Sequence, residues 1–238
     1  MNLSVKDAAQ LLNVSEKTIY RWIQQANIPA YRIEGQHRFN RSELLEWATS
    51  RRIGVAPEAF DEPDSKAQEL PTLTESLQVG GIIYRLEGKT PTAVLENLVE
   101  HMRLPQEVDR NYLLQVLIAR ERLASTSVGD GIAIPHPRNP VLLQSSKPLV
   151  TLAFLENEVD FQALDGKPVN ILLAVIAPTL RAHLHLLSML GFALHDRGFL
   201  SALQLQKSRE EIFQALLQVK RDMRRPKLAQ VEQSLRNE

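Results

Sequence analysis

The segment Ala119–Arg138 reads ARERLASTSVGDGIAIPHPR, and it decides how the larger part of the chain is interpreted. Its two glycines permit a tight turn into a short apolar strand, residues 132–134. Pro135 keeps the backbone extended after that strand. We therefore expect His136 at a strand end, where a sheet covered by helices normally exposes its functional groups.

A histidine in this position is suited to one kind of chemistry. An imidazole nitrogen accepts a phosphoryl group reversibly near neutral pH, and the incoming oxygens need cations and hydrogen-bond donors around them. The segment supplies such groups at Arg120, Arg122, Ser125, Thr126, Ser127 and Arg138. A single histidine after proline is more often structural, so the pattern by itself leaves both interpretations open.

The residues around this segment predict an α/β domain. Apolar runs of strand length occupy 132–134, 149–154 and 169–176, and helical patterns occupy 90–102, 106–121, 181–196 and 210–219. Thr90-Pro91 is a helix start, because proline is tolerated at the first helical position. Buried strands alternating with amphipathic helices favour a mixed, mostly parallel sheet flanked by helices.

The first 56 residues predict a different, mostly α-helical architecture. Ser4 and Asp7 form a capping signal for a helix over 5–12, and Ser15 caps a second helix over 16–26. Two short strands, 30–33 and 37–39, follow as a hairpin that turns at a glycine. A third helix, capped by Asn40 with Glu43, completes a winged helix-turn-helix in outline. Trp22 and Trp47 lie in step with aliphatic neighbours and are expected in its core.

Residues 2–52 resemble the excisionase and MerR-type helix-turn-helix family through AAxLLNVSxxTIYRWI, a wing ending in Arg-Phe, and SELLEW. The resemblance implies that the second helix enters the major groove of double-stranded DNA and that the hairpin touches the flanking backbone. The DNA-contacting residues it implies are Ser15, Lys17, Thr18, Tyr20 and Arg21 on the helix, with Arg32, His37 and Arg38 on the wing. A charged helix face is more often simply solvated.

Charge is distributed unevenly between the segments. The formal net charge of the chain is zero, yet residues 1–56 hold eight Lys and Arg against five Asp and Glu, as a phosphate-binding surface requires. Residues 57–72 are acidic and contain three prolines, which predicts an interdomain linker. The predicted organisation is a DNA-binding module at 1–56, a linker at 57–72, a second domain at 73–220 and a polar tail at 221–238.

Residues 73–220 resemble the EIIA domains of the phosphotransferase system, of the mannitol/fructose and nitrogen-regulatory type. The match rests on the segment quoted first, on LDGKPVNILLAVIAP (164–178) and on HLHLLSMLGFAL (183–194). The resemblance implies that His136 accepts phosphate from the phosphocarrier HPr or an HPr-like protein. It also implies active-site roles for Arg120, which opens RExxxST, and for His183, which opens HLxxL.

Two details bear on this resemblance. Pro137 follows the implied acceptor where the family commonly has a small residue, so a backbone N–H that could face the phosphoryl group is missing and Arg138 is the candidate to compensate. His183, His185 and His195 also resemble a zinc-ligand spacing. No carboxylate or cysteine completes that set, and His185 lies on another face of the helix than His183, so we expect no metal and no cofactor.

Composition restricts the remaining classes. With 44% hydrophobic residues the chain can build a core, and with no cysteine it has neither disulfides nor a thiolate site. No signal peptide or membrane-spanning run is apparent, which predicts a soluble, cytoplasmic protein that does not enter the membrane.

The sequence therefore predicts a phosphorylation-responsive regulator with a phosphohistidine, not a free-standing enzyme. Its expected partners are an HPr-like phosphocarrier, DNA, and a regulated protein or an EIIB domain, with a homodimer as an option. One alternative is a plain EIIA phosphocarrier that passes phosphate to a sugar-transport EIIB, with the N-terminal module as a docking element. Another is a scaffold that retains only the fold.

Overall fold

The computed structural model describes residues 2–25, 27–33, 35–51, 53, 70–138 and 147–224. The chain forms two compact units, Met1–Phe192 and Ala193–Glu238. Residues 57–69 of the predicted linker (57–72) and residues 225–238 of the predicted tail (221–238) lie outside the described residues. The predicted boundaries between domains therefore stay predictions.

The N-terminal part of the first unit is a small helical module with a three-stranded sheet. Its elements are β1 (Asn2–Leu3), α1 (Val5–Leu11), α2 (Glu16–Gln24), β2 (Tyr31–Ile33), β3 (Gln36–Asn40) and α3 (Arg41–Ser50). Ser4 and Asp7 cap α1 reciprocally, and Ser15 accepts the Thr18 N–H at the start of α2, as the sequence predicts. β3 is the central strand, antiparallel to both β1 and β2.

The rest of the first unit contains a five-stranded sheet with helices. Its elements are α4 (Leu73–Gly80), β4 (Ile82–Leu86), α5 (Pro91–His101), α6 (Arg110–Leu123), β5 (Ser127–Gly129), β6 (Ile132–Ala133), β7 (Leu149–Val159), β8 (Val169–Ile176) and α7 (Leu180–Ala193). The strand order is β4-β7-β8-β6-β5. The sheet is mixed, as predicted: β4–β7 and β6–β8 are parallel, whereas β7–β8 and β5–β6 are antiparallel.

A continuous apolar core lies between this sheet and helices α5 and α6. It joins one side of β7 and β8 to buried leucines and valines such as Leu98, Leu113 and Leu117. The sequence predicts that α6 begins at residue 106, four residues too early. The helix begins at Arg110, because Asp109 caps it by accepting the Tyr112 N–H. It does not predict α4, β4 or β5.

The second unit contains two helices among its described residues, α8 (Arg197–Gln204) and α9 (Arg209–Arg224). Asp196 caps α8 by accepting the Phe199 N–H at 2.8 Å. Ser208 and Glu211 bond each other reciprocally at the start of α9, which lowers the pKa of the Glu211 carboxyl. The predicted helix 181–196 thus ends at Ala193, and α8 was not predicted.

Candidate functional site

His136 is held in place by backbone hydrogen bonds on both sides of the short strand β6. The Ile134 N–H donates to the Thr126 carbonyl at 2.9 Å, and the Val175 N–H donates to the Pro135 carbonyl at 2.9 Å. The segment that ends in His136 is therefore anchored to the residue before β5 and to the central strand β8. His136 follows the end of β6 by three residues, where the sequence predicts a strand end, but only 6% of its surface is exposed.

The orientation of the His136 ring identifies its two nitrogens. Nδ1 lies 2.6 Å from the Ile134 carbonyl oxygen. A carbonyl oxygen only accepts hydrogen bonds, so Nδ1 carries the proton and, in the neutral ring, Nε2 keeps the lone pair. In the neutral ring, Nε2 is thus the basic nitrogen of this histidine.

His183 is brought next to His136 from a distant part of the sequence. It lies in the first turn of α7, where its N–H donates to the Thr179 carbonyl at 3.0 Å. The two imidazole rings are 5.4 Å apart between centroids, at an angle of 49°. His183 is 1% exposed. The segments GIAIPH and HLHLL, which carry the resemblance noted above, therefore meet at one place.

Glu121 is a residue of the site that the sequence reasoning missed. Its carboxylate accepts the Thr126 N–H at 3.1 and 3.2 Å and the Thr126 hydroxyl at 2.5 Å. Burial raises the pKa of Glu121, while the bonds from Thr126 and the charges of Arg120 and His136 act in the opposite direction. The signal available was its place directly after Arg120 in RExxxST. Thr126, expected to support phosphate, uses its hydroxyl on Glu121.

Three of the expected phosphate-supporting residues face one cavity. Arg120, Ser125 and Arg138 line a space of about 510 Å³. The Arg120 Nη1 atom donates to the Ala124 carbonyl at 2.8 Å, which fixes the guanidinium at the end of α6. The Ser125 Oγ accepts the Ser127 N–H at 3.2 Å.

The opposite wall of this cavity belongs to the N-terminal module. The residues that line it are Asn27, Ile28, Pro29, Tyr31, Glu43, Trp47 and Arg51. Glu43 accepts from Arg138 at 2.8 Å and from the Tyr31 hydroxyl at 2.5 Å. The bond to Glu43 raises the pKa of the Tyr31 hydroxyl. The expected capping partner Asn40 does accept the Glu43 N–H, at 3.4 Å.

The expected DNA-contacting residues include exposed side chains and side chains with local hydrogen bonds. Lys17, Tyr20 and Arg21 are exposed on α2, and Arg32 is exposed on β2. The Tyr20 and His37 rings are 6.5 Å apart in an edge-on arrangement, so α2 and the wing present neighbouring surfaces. The other expected contacts have local bonds: Ser15 with Thr18 at 2.9 Å, and Arg38 with Gln36 at 2.7 Å.

The two tryptophans pack inside the module, as expected. Trp22 and Trp47 are in edge-on contact with centroids 5.2 Å apart, and both lie against the buried core of the module. The Arg51 guanidinium lies 5.6 Å from the centre of the Trp47 ring. The two tryptophan rings therefore stabilise the packing of α2 against α3 and are not exposed stacking surfaces.

The histidines outside the pair have other surroundings. His185 bonds to the Pro71 backbone, whose carbonyl is the acceptor, and burial lowers the pKa of the imidazole. Among the described residues no three His, Cys, Asp or Glu side chains are grouped so that they could hold a metal ion. No helix in the described ranges combines the length and apolarity needed to cross a bilayer.

Comparison with known proteins identifies two parts of the chain. Residues 75–219 match the sequence family "Phosphoenolpyruvate-dependent sugar phosphotransferase system, EIIA 2", and residues 3–52 match a helix-turn-helix domain family. A nitrogen regulatory protein of Pseudomonas aeruginosa is 34% identical over 152 residues, which are 62% of this chain and 96% of that protein.

Two further relatives agree with this. A fructose-specific EIIA component of Haloferax volcanii is 34% identical over 47% of this chain and 71% of its own length. The crystal structure of the nitrogen regulatory protein IIA-Ntr from Neisseria meningitidis superimposes with a TM-score of 0.50 at 27% identity, covering 62% of this chain and 95% of that one.

Proposed function

Since the chain belongs to the EIIA 2 family of the phosphoenolpyruvate-dependent sugar phosphotransferase system and carries a helix-turn-helix domain, we propose that it is a phosphorylation-responsive DNA-binding regulator. His136 accepts a phosphoryl group from an HPr-like phosphocarrier, and the N-terminal module binds double-stranded DNA. The observation that carries the proposal is the pairing of His136 with His183, together with the bond that fixes the His136 ring.

The transfer uses Nε2 of His136. Because Nδ1 donates to the Ile134 carbonyl, the Nε2 lone pair attacks the phosphorus of the donor's phosphohistidine. A new P–N bond forms while the donor's P–N bond breaks, and its electron pair returns to the donor imidazole. The Nδ1 proton stays where it is, and its bond to the carbonyl stabilises the positive charge that develops on the ring.

Arg120 and Arg138 provide charge for the phosphoryl oxygens. Both guanidiniums line the cavity, and a planar guanidinium matches two phosphate oxygens at once. Ser125 adds a hydroxyl in the same cavity. Thr126 and Glu121 act indirectly. Their hydrogen bond holds the start of β5, and the Thr126 carbonyl accepts the Ile134 N–H. His183 lies beside the acceptor ring and positions the transferred group.

Mapping the phosphorylated residue tests this proposal. Incubation with phosphoenolpyruvate, enzyme I and HPr should place an acid-labile phosphoryl group on the wild-type chain and none on His136→Ala. His183→Ala should retain the label but acquire it more slowly. His101→Ala, which removes an exposed histidine at the end of α5, is the matched control and should behave as the wild type. Labelling that persists in His136→Ala would refute the assignment.

DNA binding is assigned to α2 and the wing. Lys17, Tyr20 and Arg21 project from one exposed surface, and the Tyr20–His37 contact places the wing beside it. A helix of this kind reads base edges in the major groove while flanking cations contact phosphates. Arg32 and Arg38 on the wing are the phosphate-contacting candidates.

Binding at fixed salt separates these two roles. Arg21→Ala should weaken binding to a preferred sequence more than binding to random DNA, whereas Arg38→Ala should weaken both equally. Lys89→Ala removes an exposed cation from the EIIA domain and is the control that should change neither. Unchanged binding in Arg21→Ala would remove α2 as the recognition helix.

A link between the two activities is the remaining element of the proposal. Affinity for DNA should differ between the phosphorylated and unphosphorylated wild type, and His136→Ala should behave as the unphosphorylated protein under both conditions. Equal affinities in all samples would leave phosphorylation and DNA binding as separate activities of one chain.

A further inference from the structure

The N-terminal module lies against the surface that surrounds His136. Arg138, two residues after the acceptor, forms an ion pair with Glu43 of α3 at 2.8 Å. The two residues are 95 positions apart in the sequence. Glu43 also accepts from the Tyr31 hydroxyl of β2. Its carboxylate therefore links β2 and α3 of the module to Arg138.

The contact is apolar as well as charged. Leu184 follows His183 directly on α7 and is only 5% exposed, because it packs into the same hydrophobic cluster as Leu45 and Ala48 of α3. The two active-site histidines are themselves almost fully buried, with 6% and 1% of their surfaces exposed. A donor protein needs access to Nε2 of His136, and little of this residue is exposed while the module is in place.

The charges around the cavity explain how this arrangement responds to phosphate. Among the described residues that line the cavity, Arg51, Arg120 and Arg138 carry guanidiniums and Glu43 carries a carboxylate. A phosphoryl group adds up to about two negative charges. His136 does not line this cavity itself, but it precedes Arg138 by two residues. A phosphoryl group on His136 would therefore compete with Glu43 for the Arg138 guanidinium.

We propose that the helix-turn-helix module docks on the phosphoacceptor surface through Glu43, and that the module and the phosphoryl donor compete for this surface. Phosphorylation of His136 transfers Arg138 from Glu43 to the phosphoryl group and releases the module. This inference rests on the proposed function, because it assumes that His136 is the acceptor.

The surface of α2 that is proposed to read DNA bases is not part of this contact, although β2 of the wing is. The residues that dock belong to the turn after α2, to β2 and to α3, whereas Lys17, Tyr20 and Arg21 are exposed on α2. The proposed recognition surface on α2 therefore stays exposed while the module occupies the surface that the donor protein needs. Release changes the freedom of the module relative to the EIIA domain, which links phosphorylation to DNA binding without a phosphoryl group near the recognition helix.

Docking can be measured without phosphorylation because the natural chain contains no cysteine. Asn27→Cys and Ala124→Cys place one thiol on each wall of the cavity, and a short reducible bis-thiosulfonate reagent joins them when the module is docked. In this background Glu43→Gln and Arg138→Gln should each slow cross-linking by about two- to fivefold, the factor expected for a partly exposed ion pair.

The matched variants make the result specific. Glu16→Gln removes an exposed carboxylate from α2 and should cross-link at the parent rate. The charge exchange Glu43→Arg with Arg138→Glu should recover part of the lost rate. Cross-linking that is insensitive to both single substitutions would overturn docking through this pair.

The competition is measured on the same cross-linked protein. Locked protein should be labelled by phospho-HPr at least about tenfold more slowly than the same sample after reduction, since acceptor access is reduced by the fraction of open molecules. Uncross-linked Glu43→Gln should be labelled about two- to fivefold faster than wild type. Full-rate labelling of locked protein overturns this inference alone. If reduced protein is not labelled at His136, the proposed function fails and the competition fails with it.

Discussion

Replacing Glu121 tests whether a buried carboxylate supports the phosphoacceptor segment from behind. Its carboxylate accepts two donors of Thr126, a residue that is 4% exposed. In Glu121→Ala both donors lose this acceptor within the protein interior. An unsatisfied buried donor costs roughly 1–3 kcal/mol, so for two donors we expect a loss of roughly 2–6 kcal/mol in the free energy of unfolding.

Glu121→Gln separates the hydrogen bonds from the charge. Its amide oxygen still accepts from Thr126, so the stability near neutral pH should change by about 1 kcal/mol or less. Burial raises the pKa of the wild-type carboxyl above its ordinary 4.5. The stability it contributes is therefore fully present below pH 4.5 and is lost as the pH rises through the raised value of the folded state. The Gln variant has no such dependence.

Urea denaturation followed by circular dichroism measures both effects. The free energy of unfolding should be compared at about pH 5 and about pH 7.5 for the wild type, the two variants and Glu96→Ala, which removes an exposed carboxylate from α5. As the pH rises, the free energy of unfolding of the wild type should decrease relative to that of Glu121→Gln. An Ala variant as stable as the wild type would refute the role of the Thr126 bonds, and a constant difference between wild type and Gln would refute the buried charge.

Three other substitutions test the packing around the site. Gly80→Ala would place its Cβ 2.2 Å from the Val150 carbonyl oxygen, so thermal unfolding should show a loss of about 1–3 kcal/mol or more. Burial lowers the pKa of His185 from 6.5, so the stability of the wild type should decrease as the pH falls below that value. His185→Gln can still donate to Pro71 but does not titrate, so denaturation curves at several pH values should show no such decrease. Arg110→Ala removes donors from three carbonyls at the end of α5 and should lower the melting temperature, with Arg110→Lys recovering part of it.

Each of these has a control or a contrary outcome. Gly166 has nothing within 4 Å of an added Cβ but has a φ of +70°, so Gly166→Ala should show only the smaller backbone cost of about 1 kcal/mol. Equal losses at the two glycines would mean that β7 yields to the added methyl group. A pH dependence that persists in His185→Gln, or an unchanged melting temperature in Arg110→Ala, would contradict the contacts described for those residues.

Local signals in the sequence predicted many of the elements. The Ser4 and Ser15 caps, the hairpin at Gly35 and the start of α5 at Pro91 depend on neighbouring residues and were predicted correctly. Helix α4 has an equally clear capping box at Thr72 and Glu75, but its position next to the predicted linker hid it. Strand β5 has only three residues, too few for a periodic pattern.

The contacts that assemble the site were predictable only in part. The resemblance to EIIA domains brought His136 and His183 together before any distance was known. The pairing of Arg138 with Glu43 had no such signal, since the two residues belong to domains of two different families, and neither family pattern contains a contact with the other domain. Exposure of His136 was expected from its place at a strand end, and its burial follows from long-range packing that no local pattern encodes.

The bond between His136 Nδ1 and the Ile134 carbonyl has a consequence for genetic studies. If His136 accepts phosphate as proposed, aspartate or glutamate at position 136 would not imitate the phosphorylated protein, because a carboxylate has no ring nitrogen for that carbonyl and carries one negative charge where a phosphoryl group brings up to about two. Such alleles would behave as loss-of-acceptor mutants. Under the proposed competition, a permanently signalling allele would instead be made at position 43, on the side of the Arg138–Glu43 ion pair that belongs to the N-terminal module.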